Sequence, residues 1–441
     1  MRYTKRIMAL ALACLIIFSL VPPVTVHAAS NKAITFLTNN GILQGYGSGN
    51  LGLKDAITRE QFVTFLYRVA GEPSVQGPSQ FVDVKAGSYY YNAVLWAGQE
   101  KITNGVSKTR FGVGSKVTCE QAVTFLYRFG NKIFGSTSTN MKKGVFPSGY
   151  TNYNSSGKCP EMRDALAWAY RHKLTDGTSD TMKKGTNACV RGDVAQLIYN
   201  FYKAFRKTYG LAAMTKDAGV PYAPALMSER FDDYGKVEVV IPQDGLDTYA
   251  ELQTEFSKAY GSATCIDVCY LYINSHGAES GLTTGTPRRC WLTPEQLEGL
   301  TAKYPAKFVI LIESCFAGGF VTYFSDHKSK ADILCSSNKT PACAVTLYKD
   351  DTKIRDGAVP LATACWNLSL AGEKPFADYG TNMSLKAHST NVMNTRTYCM
   401  TSKGNRDGFV SIAELYDAAK NAIANLSLCN EDMENKQDPC Y

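Results

Sequence analysis

Apolar positions along the chain follow three rhythms. From Ile7 to Val21 they run almost unbroken, between about residues 30 and 205 they recur at helical spacing, and beyond about residue 235 they gather into short blocks. In the middle region Phe62, Phe65 and Leu66 lie on one face of the segment Ile57–Arg68, which predicts an amphipathic helix turned toward a shared core. In the third region, Val237–Ile241, Val268–Ile273, Phe308–Ile312 and Ile333–Cys335 read as strands, and Leu246–Tyr260 and Pro294–Lys303 read as helices. Thr293-Pro294 is a strong helix start, a capping hydroxyl followed by a residue with φ preset for the first turn. Helices alternating with apolar strands predict parallel crossovers and a layered α/β domain. Between the last two regions, Gly210, Gly219, Pro221 and Pro224 interrupt any pattern, so residues 206–234 are read as a linker.

The helical region is a repeat. Ala33, Ala93 and Ala165, then Gly45, Gly105 and Gly177, then Arg59, Cys119 and Arg191 are three sets of landmarks that shift together by 60 and then by 72 residues. Each unit reads as a helix, a glycine turn and a second helix opened by a threonine or similar cap. The units span residues 30–74, 78–131 and 144–205. They resemble S-layer homology repeats, on the strength of Ile57-Thr58-Arg59-Glu60, Phe81-Val82-Asp83-Val84 and the Gly41-Ile42-Leu43-Gln44-Gly45 turn. The resemblance implies an all-α, pseudo-threefold module that binds an anionic secondary polymer of a Gram-positive cell wall. It also implies a polymer-gripping role for Arg59 and for Arg191, whose guanidinium forks suit carboxylates; Cys119 replaces the arginine in the second unit.

Composition adds a compartment. Arg2, Lys5 and Arg6, the apolar run and the small-residue end Val26-His27-Ala28-Ala29 form the pattern of a secretory signal over residues 1–29, leaving no transmembrane segment in the mature chain. Cleavage leaves 44 basic and 39 acidic residues of the original 47 and 39, a mild net +5. No basic stripe interleaved with aromatics exists to bind nucleic acid. Of 14 cysteines Cys14 goes with the signal, and export permits disulfides among the rest, though parity does not decide them. The spacings show no zinc pattern, and no structural metal or cofactor is expected. Lys403–Glu414 mimics a calcium loop, but the acidic first position is Lys403, so a capped turn into a helix over Ile412–Ala424 is the expectation.

The candidate chemistry sits at two strand ends. Leu271-Tyr-Ile-Asn-Ser-His276-Gly277 delivers a histidine, and Val309-Ile-Leu-Ile-Glu313-Ser-Cys315-Phe-Ala-Gly318-Gly319 delivers a cysteine 39 residues later, about one strand–helix–strand excursion. In an open parallel sheet the carboxyl ends of neighbouring strands share one crevice, so such side chains can meet there. These segments, with Leu292-Thr-Pro-Glu-Gln-Leu297 between them, resemble the caspase-like cysteine peptidases, the grouping that holds metacaspases, legumains and clostripain. The resemblance implies Cys315 as nucleophile, His276 as acid/base, and the backbone amides of Gly277 and Cys315 as the oxyanion hole. It further implies a substrate pocket for a basic side chain walled by Glu313; Asp326 and Asp332 are alternative acidic walls.

The resulting expectation is a secreted, wall-attached cysteine endopeptidase of residues 235–441 carried by three repeats, acting on a protein or peptide after Arg or Lys. Its rivals are a catalytically degenerate structural surface protein and a transpeptidase using the same thioester.

Overall fold

The computed structural model describes residues 30–135, 148–153, 161–218, 224, 238–242 and 244–336, together with five short strands between 344 and 394. Residues 1–29, the Lys403–Glu414 loop and the helix expected at Ile412–Ala424 lie outside the described residues. The chain divides into two compact units, Met1–Leu66 with Val75–Phe201, and Tyr67–Ser74 with Tyr202–Tyr441.

Three helix pairs build the first unit: α1 (Asn31–Asn39) with α2 (Arg59–Val69), α3 (Tyr91–Gln99) with α4 (Cys119–Phe134), and α5 (Met162–Arg171) with α6 (Arg191–Phe205). The second helix of the middle pair starts at a capping box, in which Thr118 accepts from the Gln121 amide and the Gln121 side chain returns to the Thr118 N–H. Just before the second helices, the three chains meet at a closed ring of backbone bonds. Ile57 N–H donates to Cys189 C=O at 2.9 Å, Cys189 N–H to Val117 C=O at 2.8 Å, and Val117 N–H to Ile57 C=O at 2.9 Å. Such a ring satisfies buried peptide groups that no helix could satisfy. Around it pack Phe62 against Phe125 at 5.8 Å and Trp168 against Phe201 at 6.2 Å. The glycine turns are a steric need at Gly105, where φ is 74° and an added Cβ would lie 2.4 Å from the Arg110 carbonyl.

The second unit centres on a five-stranded parallel sheet of order β2-β1-β3-β7-β8, with β1 Thr208–Met214, β2 Glu238–Val240, β3 Val268–Asn274, β7 Lys307–Glu313 and β8 Asp332–Cys335. A helix precedes β3, α7 (Tyr249–Tyr260), and two more follow it, α8 (Pro294–Thr301) and α9 (Gly318–Asp326). A small antiparallel sheet of β4 (His276–Ala278), β5 (Gly281–Thr284) and β6 (Arg289–Leu292) is inserted between β3 and α8. The apolar core includes Leu211, Phe256, Leu271, Ile310 and Phe320, with the Phe256 and Phe308 rings stacked at 5.8 Å. Beyond β8, strands β9 (Ala344–Lys349), β10 (Thr352–Lys353), β11 (Val359–Pro360), β12 (Met383–Lys386) and β13 (Val392–Asn394) pair antiparallel.

Residues 206–234 do not begin as a linker, because β1 runs through Thr208–Met214 and lies inside the sheet between β2 and β3. Tyr-Gly-Leu-Ala-Ala carries little strand propensity, and its small residues are there because both flanks of β1 are covered.

Candidate active site

Strands β3 and β7 are paired residue for residue from Val268↔Lys307 to Asn274↔Glu313, so they end at the same level. The Ser275 N–H extends the pairing by donating to the Glu313 carbonyl at 3.1 Å. One residue later each chain leaves the sheet. β3 passes directly into β4, whose first residue is His276, and β7 passes through Ser314-Cys315-Phe316-Ala317 into α9. Phe316 has φ 54°, a left-handed conformation that costs a non-glycine residue about 1–2 kcal/mol, and it turns the chain directly behind Cys315. Cys315 is half-buried.

The two exits touch through backbone. A Cβ on Gly277 would stand 2.2 Å from the Cys315 carbonyl oxygen and 2.2 Å from Ser314 Oγ, a separation real side chains never show. Glycine is therefore required for the peptide of residue 277 to lie against the cysteine loop.

The half-buried His276 ring is oriented from the far side. Its Nε2 lies 3.0 Å from the Asp217 carbonyl oxygen. A carbonyl only accepts, so Nε2 carries the proton and Nδ1 is the basic nitrogen. The segment bearing that carbonyl is itself tied down: Asp217 Oδ2 accepts from Gly285 N–H at 2.9 Å, and the Thr284 hydroxyl lies 3.0 Å from Oδ1. Burial acts to raise the Asp217 carboxyl, but the bonds from Gly285 and Thr284, with His276 nearby, outweigh it and hold the group below the ordinary range. A depressed carboxyl contributes stability above its unfolded value, lost as the pH falls through the folded one. The order of the His276 loop is thus expected to fail only below about pH 4. Amide exchange of Gly285 against pH measures this, and Asp217→Asn should remove the acid transition.

Beneath the site lies a network of serines. Trp291 Nε1 donates to Ser275 Oγ at 3.2 Å, and Ser314 N–H donates to Ser336 Oγ at 3.0 Å. Asp217 and Ser336 belong to the site's support and were missed in the sequence. Asp217 lay within the segment read as linker, and Ser336 follows β8 with no motif around it.

His276, Gly277, Glu313 and Cys315 therefore come to one end of the sheet. Glu313 is the last residue of β7 and only 2% exposed. Asp332 does not join them. It opens β8, pairs with Val309 near the start of β7, and forms an ion pair with Lys307 at 2.8 Å, so it stands at the amino end of a parallel sheet whose carboxyl end holds Cys315.

In the first unit the two arginines are spent internally. Arg59 is 3% and Arg191 2% exposed. Arg59 Nε donates to the Phe111 carbonyl at 2.9 Å, and its guanidinium stacks 5.1 Å from the Phe111 and Phe125 rings. Burial pushes its pKa down to about 10, which still leaves it charged at neutral pH. Arg191, in the third unit, repeats the arrangement, donating to the Leu51 carbonyl at 3.0 Å and the Gln44 carbonyl at 2.7 Å under the exposed Tyr46 ring. Each guanidinium staples the loop of a neighbouring helix pair, Arg59 that of the second pair and Arg191 that of the first. Arg59→Ala should cost about 3 kcal/mol, because it leaves a buried carbonyl unpaired and a cavity between two rings. Thermal unfolding of the full chain measures this.

The profile of the S-layer homology domain matches residues 24–63 and 80–123. The first unit therefore contains S-layer homology sequence, covering α1 and α3 and the starts of α2 and α4; α5 and α6 fall outside the match. Three relatives align with part of the chain: the surface-layer 125 kDa protein of Lysinibacillus sphaericus, 31% identical over 97 residues; a surface layer protein of Brevibacillus choshinensis, 31% over 105 residues; and the middle cell wall protein of Brevibacillus brevis, 30% over 105 residues. The alignments cover 22–23% of this chain and 8–10% of those proteins. The chain carries the module of exported proteins associated with the cell surface and wall. Among the described residues no helix is long and apolar enough to cross a membrane.

Proposed function

We propose that the chain is a wall-attached cysteine endopeptidase with Cys315 as nucleophile and His276 as acid/base. The observation that carries this reading is the shared end of β3 and β7, with the residue-277 peptide pressed against the Cys315 carbonyl. In the reaction, His276 Nδ1 takes the Cys315 proton, the sulfur attacks the scissile carbonyl, and the imidazolium returns the proton to the leaving amine. Water then hydrolyses the thioester. The N–H groups of Gly277 and Cys315 hold the oxyanion, each contributing about 3 kcal/mol in comparable sites. Glu313 supplies the negative charge that selects Arg or Lys before the cleaved bond.

The caspase-like fold is part of this proposal, supported by the parallel sheet with the histidine and cysteine on neighbouring strands. So is a third S-layer homology repeat at α5 and α6, supported by the backbone ring in which Cys189 stands as Ile57 and Val117 do. The three units bind an anionic wall polymer across surfaces formed by the stapled loops, Tyr46 among them.

Purified full chain incubated with reporter peptides ending in Arg or Lys, with acidic reporters as control, tests the activity. Turnover of basic reporters alone is expected, and transfer to an added amine would mark a transpeptidase. A second reading, a surface protein without catalysis, is favoured by the S-layer relatives; it predicts no turnover of any reporter.

A further inference from the structure

The backbone ring of the first unit brings together two cysteines that the hydrolase does not use. Cys119 occupies the place that Arg59 and Arg191 hold in the other two pairs, and Cys189 occupies the place of Ile57 and Val117. Their segments run antiparallel across the bridge Thr118↔Ala188, with Cys119 N–H donating to Asn187 C=O at 2.9 Å and Cys189 N–H to Val117 C=O at 2.8 Å. Residues 119 and 189 each lie one position from that bridge, so both side chains leave by the same face. Both are fully buried, and the Cys189 thiol lies within interaction range of Cys119. The remaining neighbours are soft or already satisfied: Met182 Sδ lies 3.4 Å from Cys189 Sγ, and the Thr181 carbonyl lies 3.5 Å from Cys119 Sγ.

An arginine at position 119 would staple the next loop, as its counterparts do. A thiol is too short and too weak a donor for that work, and a second cysteine stands where the others carry aliphatic side chains. We propose that Cys119 and Cys189 form a disulfide in the exported protein, a covalent staple between the second and third helix pairs in place of the missing guanidinium. Both thiols are oxidised: an S–S bond forms, two S–H bonds break, and the two electrons and two protons they release reduce the disulfide of an exported thiol–disulfide oxidant to its dithiol. The bond forms as the chain folds. Once the unit has closed, burial excludes the oxidant, and the Cys119 contact with burial and nearby Asp193 pushes the Cys189 pKa far above an ordinary thiol.

The test uses full-length protein recovered from the culture medium of an exporting host, denatured with an alkylating agent and digested with trypsin without reduction. The expected product is peptide 117–128 joined to peptide 185–191, released by reductant. Both peptides recovered singly and alkylated, or either one joined to another cysteine, would overturn the proposal. Closing a loop of this length is expected to raise the unfolding temperature on the order of 10 °C over protein refolded with reductant. Cys189→Val, which restores the residue of the second pair, should show no such difference. Equal unfolding temperatures for the oxidised and reduced wild type would likewise overturn the cross-link.

Discussion

Replacement of Cys315 by alanine is expected to lower kcat/KM on a basic reporter peptide by roughly 10⁴-fold or more, with the unfolding temperature within a degree or two of wild type. The substitution removes one sulfur from a half-buried position, so little packing is lost, and Phe316 keeps its φ of 54° through the surrounding chain. The reaction loses its only covalent route. A residual rate near the wild-type value would mean that another group performs the hydrolysis. Circular dichroism and thermal unfolding of the same preparation separate lost chemistry from lost fold.

Gly277→Ala is the second large effect, and it arises from geometry rather than from chemistry. The new methyl would meet the Cys315 carbonyl oxygen and Ser314 Oγ at 2.2 Å, and the first of these is backbone. Either β4 lifts away from the cysteine loop or the loop shifts; in both cases an oxyanion donor moves relative to the sulfur. A displacement of about 1 Å at a catalytic centre costs roughly 10²-fold in rate, so a loss of at least that size in kcat is expected, alongside a lowered unfolding temperature. Gly319→Ala is the control. Its Cβ would have the Glu279 carbonyl at 3.4 Å as its nearest neighbour, an ordinary contact, and activity should stay within a few-fold of wild type.

The sequence conveyed the parts of this molecule whose physics is local. Thr293-Pro294 announced α8 because cap and ring act within one turn, and the apolar blocks of β3, β7 and β8 were visible because strands covered on both faces read as continuous hydrophobic runs. The ends of β3 and β7 could be paired because a parallel sheet delivers chain ends to one side. What escaped was non-local. Strand β1 is rich in glycine and alanine, residues that form a strand only when neighbours on both sides supply the pairing. Asp217 acts through its carbonyl, which any residue possesses, so its identity carried no signal for orienting His276. Asp332 was offered as an alternative pocket wall for its charge alone, whereas it stands at the start of β8, one strand length from the carboxyl end. The arginines of the first unit show the same limit. The family resemblance marked them out, but only the fold reveals that each guanidinium faces inward to a neighbouring loop.

If Cys315 and His276 act on one bound peptide bond, a peptidyl electrophile bearing arginine next to its reactive carbon should trap the pair in the full chain, the adduct being mapped by mass spectrometry. Rapid labelling of the peptide 308–328, which contains Cys315, is expected, with labelling at least a hundredfold slower in His276→Ala and the other thiols untouched. Labelling of Cys315 no faster than that of the exposed Cys290, or unchanged by loss of the imidazole, would contradict that pairing.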